Sequence, residues 1–245
     1  MATSAQTSPA VSRTKHAPGT AGRYFYFCMS LVVAAIVIYG FSHTVNPNLI
    51  HATPPRPWLL WVHGSLFSGW VAFFTLQSAL VRTRNVPLHR LLGWFGAALA
   101  ASMTVVGLTT AVVMGRFDIG MHESGIPAFL MIPFWDMACF TTLFWLAILW
   151  RRKPEIHRRL LLTATCLLTD AAIFRFPVAI AQTWFFAGAD LLIVAGVVRD
   201  LIVIRRVHPA YTYALLFLIP GQLFVMYTWL TSAHWWIRIA NAILG

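Results

Sequence analysis

At 245 residues, 59% of them hydrophobic and only 10% charged, with a mean hydropathy of +0.71, the chain is too apolar for a soluble globule and too short for two membrane domains. A single bundle of membrane helices is the economical reading. The net charge of +11 and the pI near 10.6 do not point to nucleic acid, because no basic run carries interleaved stacking aromatics and the basic residues sit between apolar runs.

Residues 1–22 are rich in Ser, Thr, Ala and Pro without an apolar period, which predicts a disordered cytoplasmic tail ahead of a transmembrane domain over 23–245. Seven apolar runs follow, at 24–41, 58–81, 91–114, 126–150, 160–182, 186–204 and 211–230. Each is long enough to cross a bilayer, since about 20 residues at about 1.5 Å rise cover about 30 Å of hydrocarbon. The first run follows a long polar segment and ends in Tyr39-Gly40-Phe41-Ser42 with no Ala-x-Ala site, so it reads as an anchored helix and not a cleaved signal. The 43–57 connection, with Pro47, Pro54, Pro55 and Pro57, suits an irregular external loop. Trp58, Trp61, Trp150, Trp184, Trp235 and Trp236 lie close to run ends, where amphipathic rings prefer headgroups.

Basic residues collect in alternate loops. One side holds Arg13, Lys15, Arg23, Arg82, Arg84, Arg90, Arg151, Arg152, Lys153, Arg158, Arg159, Arg199, Arg205 and Arg206; the other holds only Arg56, Arg116 and Arg238. Because Lys and Arg stay in the cytoplasm during insertion, this bias predicts an all-α, polytopic seven-helix bundle with its N-terminus cytoplasmic and its C-terminus external. The basic side would rest against the anionic inner leaflet, making the lipid bilayer the first partner. Small residues at four-residue spacing, Gly93, Ala97 and Ala101 on the third run and Gly64 with Ser68 and Ser65 with Gly69 on the second, predict close packing of those two helices. Cys28, Cys139 and Cys166 fall in separate runs, which leaves neither a disulfide framework nor a zinc knuckle.

Ionisable side chains inside a bilayer are costly and tend to mark a cavity or a partner. Five stand away from the inner ends, where Arg199 and Asp200 are expected to reach headgroups: His63, Asp136, Asp170, Arg175 and Asp190. Counting from the outer helix ends puts Asp190 at about 6 Å, His63 at about 8 Å, Arg175 at about 10 Å, and Asp136 and Asp170 at about 15 to 18 Å. Asp170 and Arg175 are about 140° apart on a helix, so depth pairs Arg175 with Asp190 instead. Asp136 and Asp170 are left at one level; if they converge, burial and repulsion keep a proton on one of them. The plainer alternative is that each carboxyl only hydrogen-bonds across a helix interface.

At the inner mouth His89 and His157 each precede an arginine and enter a helix, in the related stretches Pro87-Leu88-His89-Arg90-Leu91-Leu92 and Glu155-Ile156-His157-Arg158-Arg159-Leu160. Two such imidazoles could ligate a b-type haem, with Arg90, Arg158 or Arg159 neutralising its propionates; lipid phosphate contact would use the same pattern. His63 has only His43, His51 and His122, all in loops, to join it, so a lone metal held with Asp or Met is the outer alternative. A retinal Schiff base is excluded, because Lys15 and Lys153 are outside the runs, and a G-protein-coupled receptor would need the opposite orientation. No phosphate-binding glycine loop, nucleophile elbow, His-Glu-x-x-His or Cys-x-x-Cys occurs.

Between His63 and Arg175 the chain resembles an uncharacterised family of bacterial multi-pass membrane proteins, catalogued as a domain of unknown function. The likeness rests on Trp61-Val62-His63-Gly64, on Leu88-His89-Arg90-Leu91-Leu92-Gly93, and on Ile156-His157-Arg158-Arg159 leading to Arg175. It implies a multi-pass protein of a bacterial plasma (inner) membrane and directs attention to His63, His89, His157 and Arg175 without implying a reaction. Three functions are expected to compete: a b-haem or metal-binding redox or respiratory-assembly protein using His89, His157 and His63; a proton-coupled small-molecule carrier using Asp136, Asp170, Arg175 and Asp190; and a non-catalytic partner in a membrane complex.

Overall fold

The structure is a computed structural model and describes residues 20–245, with side chains from Tyr24 onward. Of the tail expected over 1–22, residues 1–19 lie outside the described residues, and so do Arg13 and Lys15. The described chain is helical throughout: α1 (Thr20–Ser42), α2 (Leu59–Arg82), α3 (Val86–Gly120), α4 (Ile126–Phe129), α5 (Met131–Leu149), α6 (Pro154–Leu167), α7 (Asp170–Ile173), α8 (Ala179–Thr183), α9 (Phe185–Ile204), α10 (Pro209–Leu230) and α11 (His234–Leu244), with a single π turn at Asn46–Ile50. Among the described residues five segments are long and apolar enough to cross a membrane: Tyr24–Ser42, Leu59–Arg82, Val86–Gly120, Ile126–Leu149 and Pro209–Leu230. Large apolar side chains such as Leu91, Trp94, Val105, Leu216 and Leu223 cover their outer faces, an arrangement suited to lipid and not to water.

The helix boundaries follow local chemistry. Asn85 caps α3, its side chain accepting from the Leu88 amide at 3.3 Å, and Pro87 sits in the first turn, where a missing N–H costs nothing. Pro154 and Pro209 open α6 and α10 in the same way, and Gly125, with φ 78°, supplies the left-handed residue ahead of α4. At 35 residues, α3 is about 52 Å long and outreaches the hydrocarbon slab. Its projecting end is tied down: Arg56 from the proline-rich loop pairs with Asp118, lies 3.9 Å from Glu123, and stacks 5.0 Å over Phe117.

The fifth apolar run, 160–182, is not one continuous helix. After α6 ends at Leu167, the Thr169 hydroxyl donates to the Cys166 carbonyl at 2.6 Å and Asp170 Oδ1 accepts from the Ala171 amide at 2.5 Å. Such local bonds compete with the helix ladder, and Pro177 then removes a donor. The run becomes three short pieces, α6, α7 and α8, joined by irregular backbone.

Helices α2 and α3 pack closely, as their small residues lead one to expect, and Ala97 is buried, but the expected glycines are not at the contact. A Cβ added at Gly64, Gly69 or Gly93 would meet nothing within 4 Å, whereas Gly96 seats the Phe73 ring and Gly107 lies under Met137 and Phe67. Trp70 then packs edge-on against Phe140 at 5.3 Å and Phe144 at 5.6 Å in the centre of the bundle. The C-terminal helix α11, unforeseen from hydropathy, buries Trp236, Ala240 and Leu244 against Leu130 and Ile126 and leaves Trp235, Arg238 and Asn241 exposed. Trp236 Nε1 donates to the Pro127 carbonyl at 2.9 Å, and Arg116 donates to the last carbonyls of α11, Leu244 and Ile243, both at 2.9 Å.

Candidate functional site

The break between α6 and α8 places the ionisable residues. Asp170 is the first residue of α7 and is 2% exposed; Asp136 on α5 is 9% exposed; and the two carboxyls lie close enough to interact directly. Asp170 Oδ1 is taken by the Ala171 amide, while its Oδ2 is buried and receives no N–H or O–H donor among the described residues, so the Asp136 carboxyl is the group within its reach. Cys139, one turn along α5, faces both. The two carboxyls that depth counting leaves at one level therefore meet.

The expected pairing of Arg175 with Asp190 is not. No ion pair joins them among the described residues; Asp190 instead accepts from Gln222 Nε2 on α10 at 3.2 Å and lies within electrostatic range of Asp170. Arg175 donates to the Ala171 carbonyl, stacks 4.5 Å over the Phe41 ring, and interacts with Asp170 and with His63. Helical angles misjudged this pairing because α7 ends at Ile173, and backbone that is no longer helical carries Arg175 back toward Asp170. His63 on α2 stacks on Phe67 at 4.1 Å, and its Nδ1 is buried without a hydrogen-bond partner. His63, Asp136, Asp170, Arg175 and Asp190 thus form one polar cluster drawn from α2, α5, α7, the 174–178 segment and α9.

The loop histidines do not join it. His43 Nδ1 bonds the Tyr39 carbonyl at 2.8 Å and His51 Nδ1 bonds Asn46 Oδ1 at 2.7 Å. Among the described residues no group of three or more His, Cys, Asp or Glu is arranged to hold a metal ion.

At the other end of the bundle, His89 and His157 lie within electrostatic range of one another. His157 Nδ1 is 2.8 Å from the Ala147 carbonyl, which makes Nδ1 the protonated nitrogen and leaves Nε2 with a free lone pair; His89 Nδ1 is buried without a partner. Arg90 is exposed. The other arginines expected near a cofactor are engaged elsewhere: Arg158 donates to Glu155 Oε2 at 2.5 Å and Arg159 to Asp200 and Glu155.

Arg159 was the least legible residue of this end. It is fully buried and holds Asp200 by two bonds of 2.7 Å and Glu155 Oε2 by a third of 2.7 Å, while Arg199 donates to Asp200 Oδ1 at 2.8 Å. Arg199 and Asp200 therefore turn inward and do not reach for headgroups. The available signal was the spacing of Glu155 and Arg159, a favourable i,i+4 pair on one helix face. Glu155 lies between the Arg158 and Arg159 guanidinium groups, both bonded to its Oε2.

No family model, curated protein or solved structure matches this chain.

Proposed function

We propose that the chain is a seven-pass protein of a bacterial plasma membrane that carries a small solute in exchange with, or together with, protons bound by Asp136 and Asp170. The observation that carries this reading is the meeting of two buried carboxyls at a broken helix. Two carboxylates side by side in a low-dielectric setting repel each other unless a proton or another cation sits between them. Unwound backbone at membrane depth is tolerated where it lines a site, and discontinuous helices are where coupled carriers bind their ions. In this reading α6, α7 and α8 together make the fifth crossing and α9 the sixth. The N-terminus is cytoplasmic, and α11 lies along the outer interface. Support for the orientation comes from Arg56 and Arg116, two of the few basic residues on the assigned outer side, both engaged with protein groups.

The test is infrared difference spectroscopy of the purified protein between neutral and alkaline pH. A protonated-carboxyl carbonyl band should be lost on alkalinisation, and it should be absent from Asp136→Asn with Asp170→Asn. A wild-type spectrum without that band at any pH would remove the proton site.

A second reading, a b-type haem between His89 and His157, is favoured by the Ala147 bond, since a carbonyl on Nδ1 is what orients a ligating imidazole. With Arg158 and Arg159 engaged, Arg90 is the arginine left for a propionate. Expression with ample haem followed by a visible spectrum decides it: a Soret band lost in His157→Ala supports it, and no band removes it.

A further inference from the structure

We infer that the groove between the ends of α3 and α11 seats the headgroup of an aminophospholipid, with Arg116 on its phosphate and the two helix ends on its primary ammonium. The inference needs only that the chain lies in a membrane and is independent of the proton site. The groove measures about 620 Å³ and is lined by Arg116, Ile119, Gly120, Asn241, Leu244 and Gly245. That size falls in the range of small-molecule sites, about 300–1,000 Å³. Its floor is closely built: Leu244 is 6% exposed and packs onto Gly115, where a Cβ would come within 2.8 Å of Leu244 Cδ2. Ile119, exposed, adds an apolar wall.

Location names the class of occupant. Gly120 is the last residue of Val86–Gly120, a segment long and apolar enough to cross a bilayer, so a groove at that end opens where hydrocarbon gives way to headgroups. The exposed Trp235 ring on α11 suits the same level.

The charges are separated as in a zwitterion. Arg116 spends Nε and Nη2 on the Leu244 and Ile243 carbonyls, and its Nη1 has no partner among the described residues. Asp118 and Glu123, the acidic residues of this stretch, face Arg56 instead. Around Arg116 converge the C-terminal ends of α3 and α11, each equivalent to about half a negative elementary charge. A lone anion would gain the guanidinium but meet both negative ends. A choline headgroup would offer those ends no N–H. A primary ammonium can donate to Asn241 Oδ1 and to helix-end carbonyls while the phosphate takes Nη1, so both charges of an ethanolamine headgroup find a partner.

The experiment uses the full chain in detergent, washed free of lipid and offered dioleoyl phosphatidylethanolamine, phosphatidylcholine and phosphatidylglycerol in equal amounts, with retained lipid counted by native mass spectrometry. One phosphatidylethanolamine per chain should be retained, about tenfold in preference to either competitor, as one hydrogen bond to a charged group allows. Asn241→Leu, which leaves Arg116 and its bonds in place, should abolish the preference over phosphatidylcholine. At Gly120 an added Cβ meets nothing within 4 Å, so Gly120→Trp has room to enter the groove and should prevent retention, with α11 as protected from protease as in the wild type. Equal retention of the three lipids, a preference for phosphatidylglycerol, no retained lipid, or a preference that survives both variants overturns the inference.

Discussion

Arg159 and Asp200 meet as a parallel two-bond pair, Nε to Oδ2 and Nη2 to Oδ1, each at 2.7 Å, with both side chains fully removed from solvent. The pair joins α6 to α9. Three residues past the end of α6 stands Asp170, so one short helix has an ion pair near its start and the carboxyl pair just beyond its end.

Removing one partner of such a pair strands a buried charge. Asp200→Ala is expected to destabilise the protein by about 3–5 kcal/mol, while replacing both partners, Arg159→Met with Asp200→Leu, should recover part of that loss because the desolvation cost disappears with the charges. Thermal unfolding in detergent reads both. A single variant as stable as the wild type would mean that the pair contributes nothing.

His208 gives a pH dependence with a definite sign. Its Nδ1 accepts from the Ala210 amide at 3.1 Å as the cap of α10, a role open only to the unprotonated ring. Partial burial first, and then the charge of Arg159, hold its pKa below the usual histidine value against the pull of Asp200 and Glu155. A histidine depressed on folding leaves stability intact above the unfolded value of about 6.5 and loses it as the pH falls from there through the folded value. Melting temperature measured between neutral and mildly acid pH should fall for the wild type and fall less for His208→Asn, which caps without titrating.

Part of this was legible in the sequence. Hydrophobic runs mark where a chain can cross a bilayer; seven were expected to do so, and five segments among the described residues are long and apolar enough. They do not mark where a helix stops inside a run, because hydropathy averages over the local bonds of Thr169 and Asp170 that end it. Depth counting brought Asp136 and Asp170 together because depth survives that break. It mispaired Arg175 because azimuth does not. Likewise Arg199 and Asp200 sit at a helix end where headgroups were the expected partner, and only the position of Arg159 across the interface reveals that they face inward.

Gly40 and Gly93 make a matched contrast on two helices. A Cβ at Gly40 would collide with the backbone carbonyl of Ala172, where α1 crosses α7, and backbone cannot yield as a side-chain tip does. Gly40→Ala should therefore cost about 1–3 kcal/mol. At Gly93 nothing lies within 4 Å, and alanine there should stabilise α3 by up to about 1 kcal/mol through helix propensity alone. Unfolding of the two variants side by side would refute the packing argument if both moved in the same direction.

Arg116 ties the C-terminal end of α11 to α3. Its Nε and Nη2 donate to the Leu244 and Ile243 carbonyls, two of the groups that a helix leaves unpaired at its C-terminus, and it places a cation at the negative end of α11. The rest of α11 is held by Trp236, whose ring is buried and whose Nε1 bonds the Pro127 carbonyl. Arg116→Gln should therefore fray the last turn of α11 and leave its first turn docked, whereas Trp236→Ala should release the whole helix. Limited proteolysis with mass mapping separates the two: cleavage confined to the residues after Ala240 in the first variant, and reaching back to His234 in the second. Equal protection of α11 in wild type and Trp236→Ala would mean that the membrane interface, and not the protein, holds this helix in place.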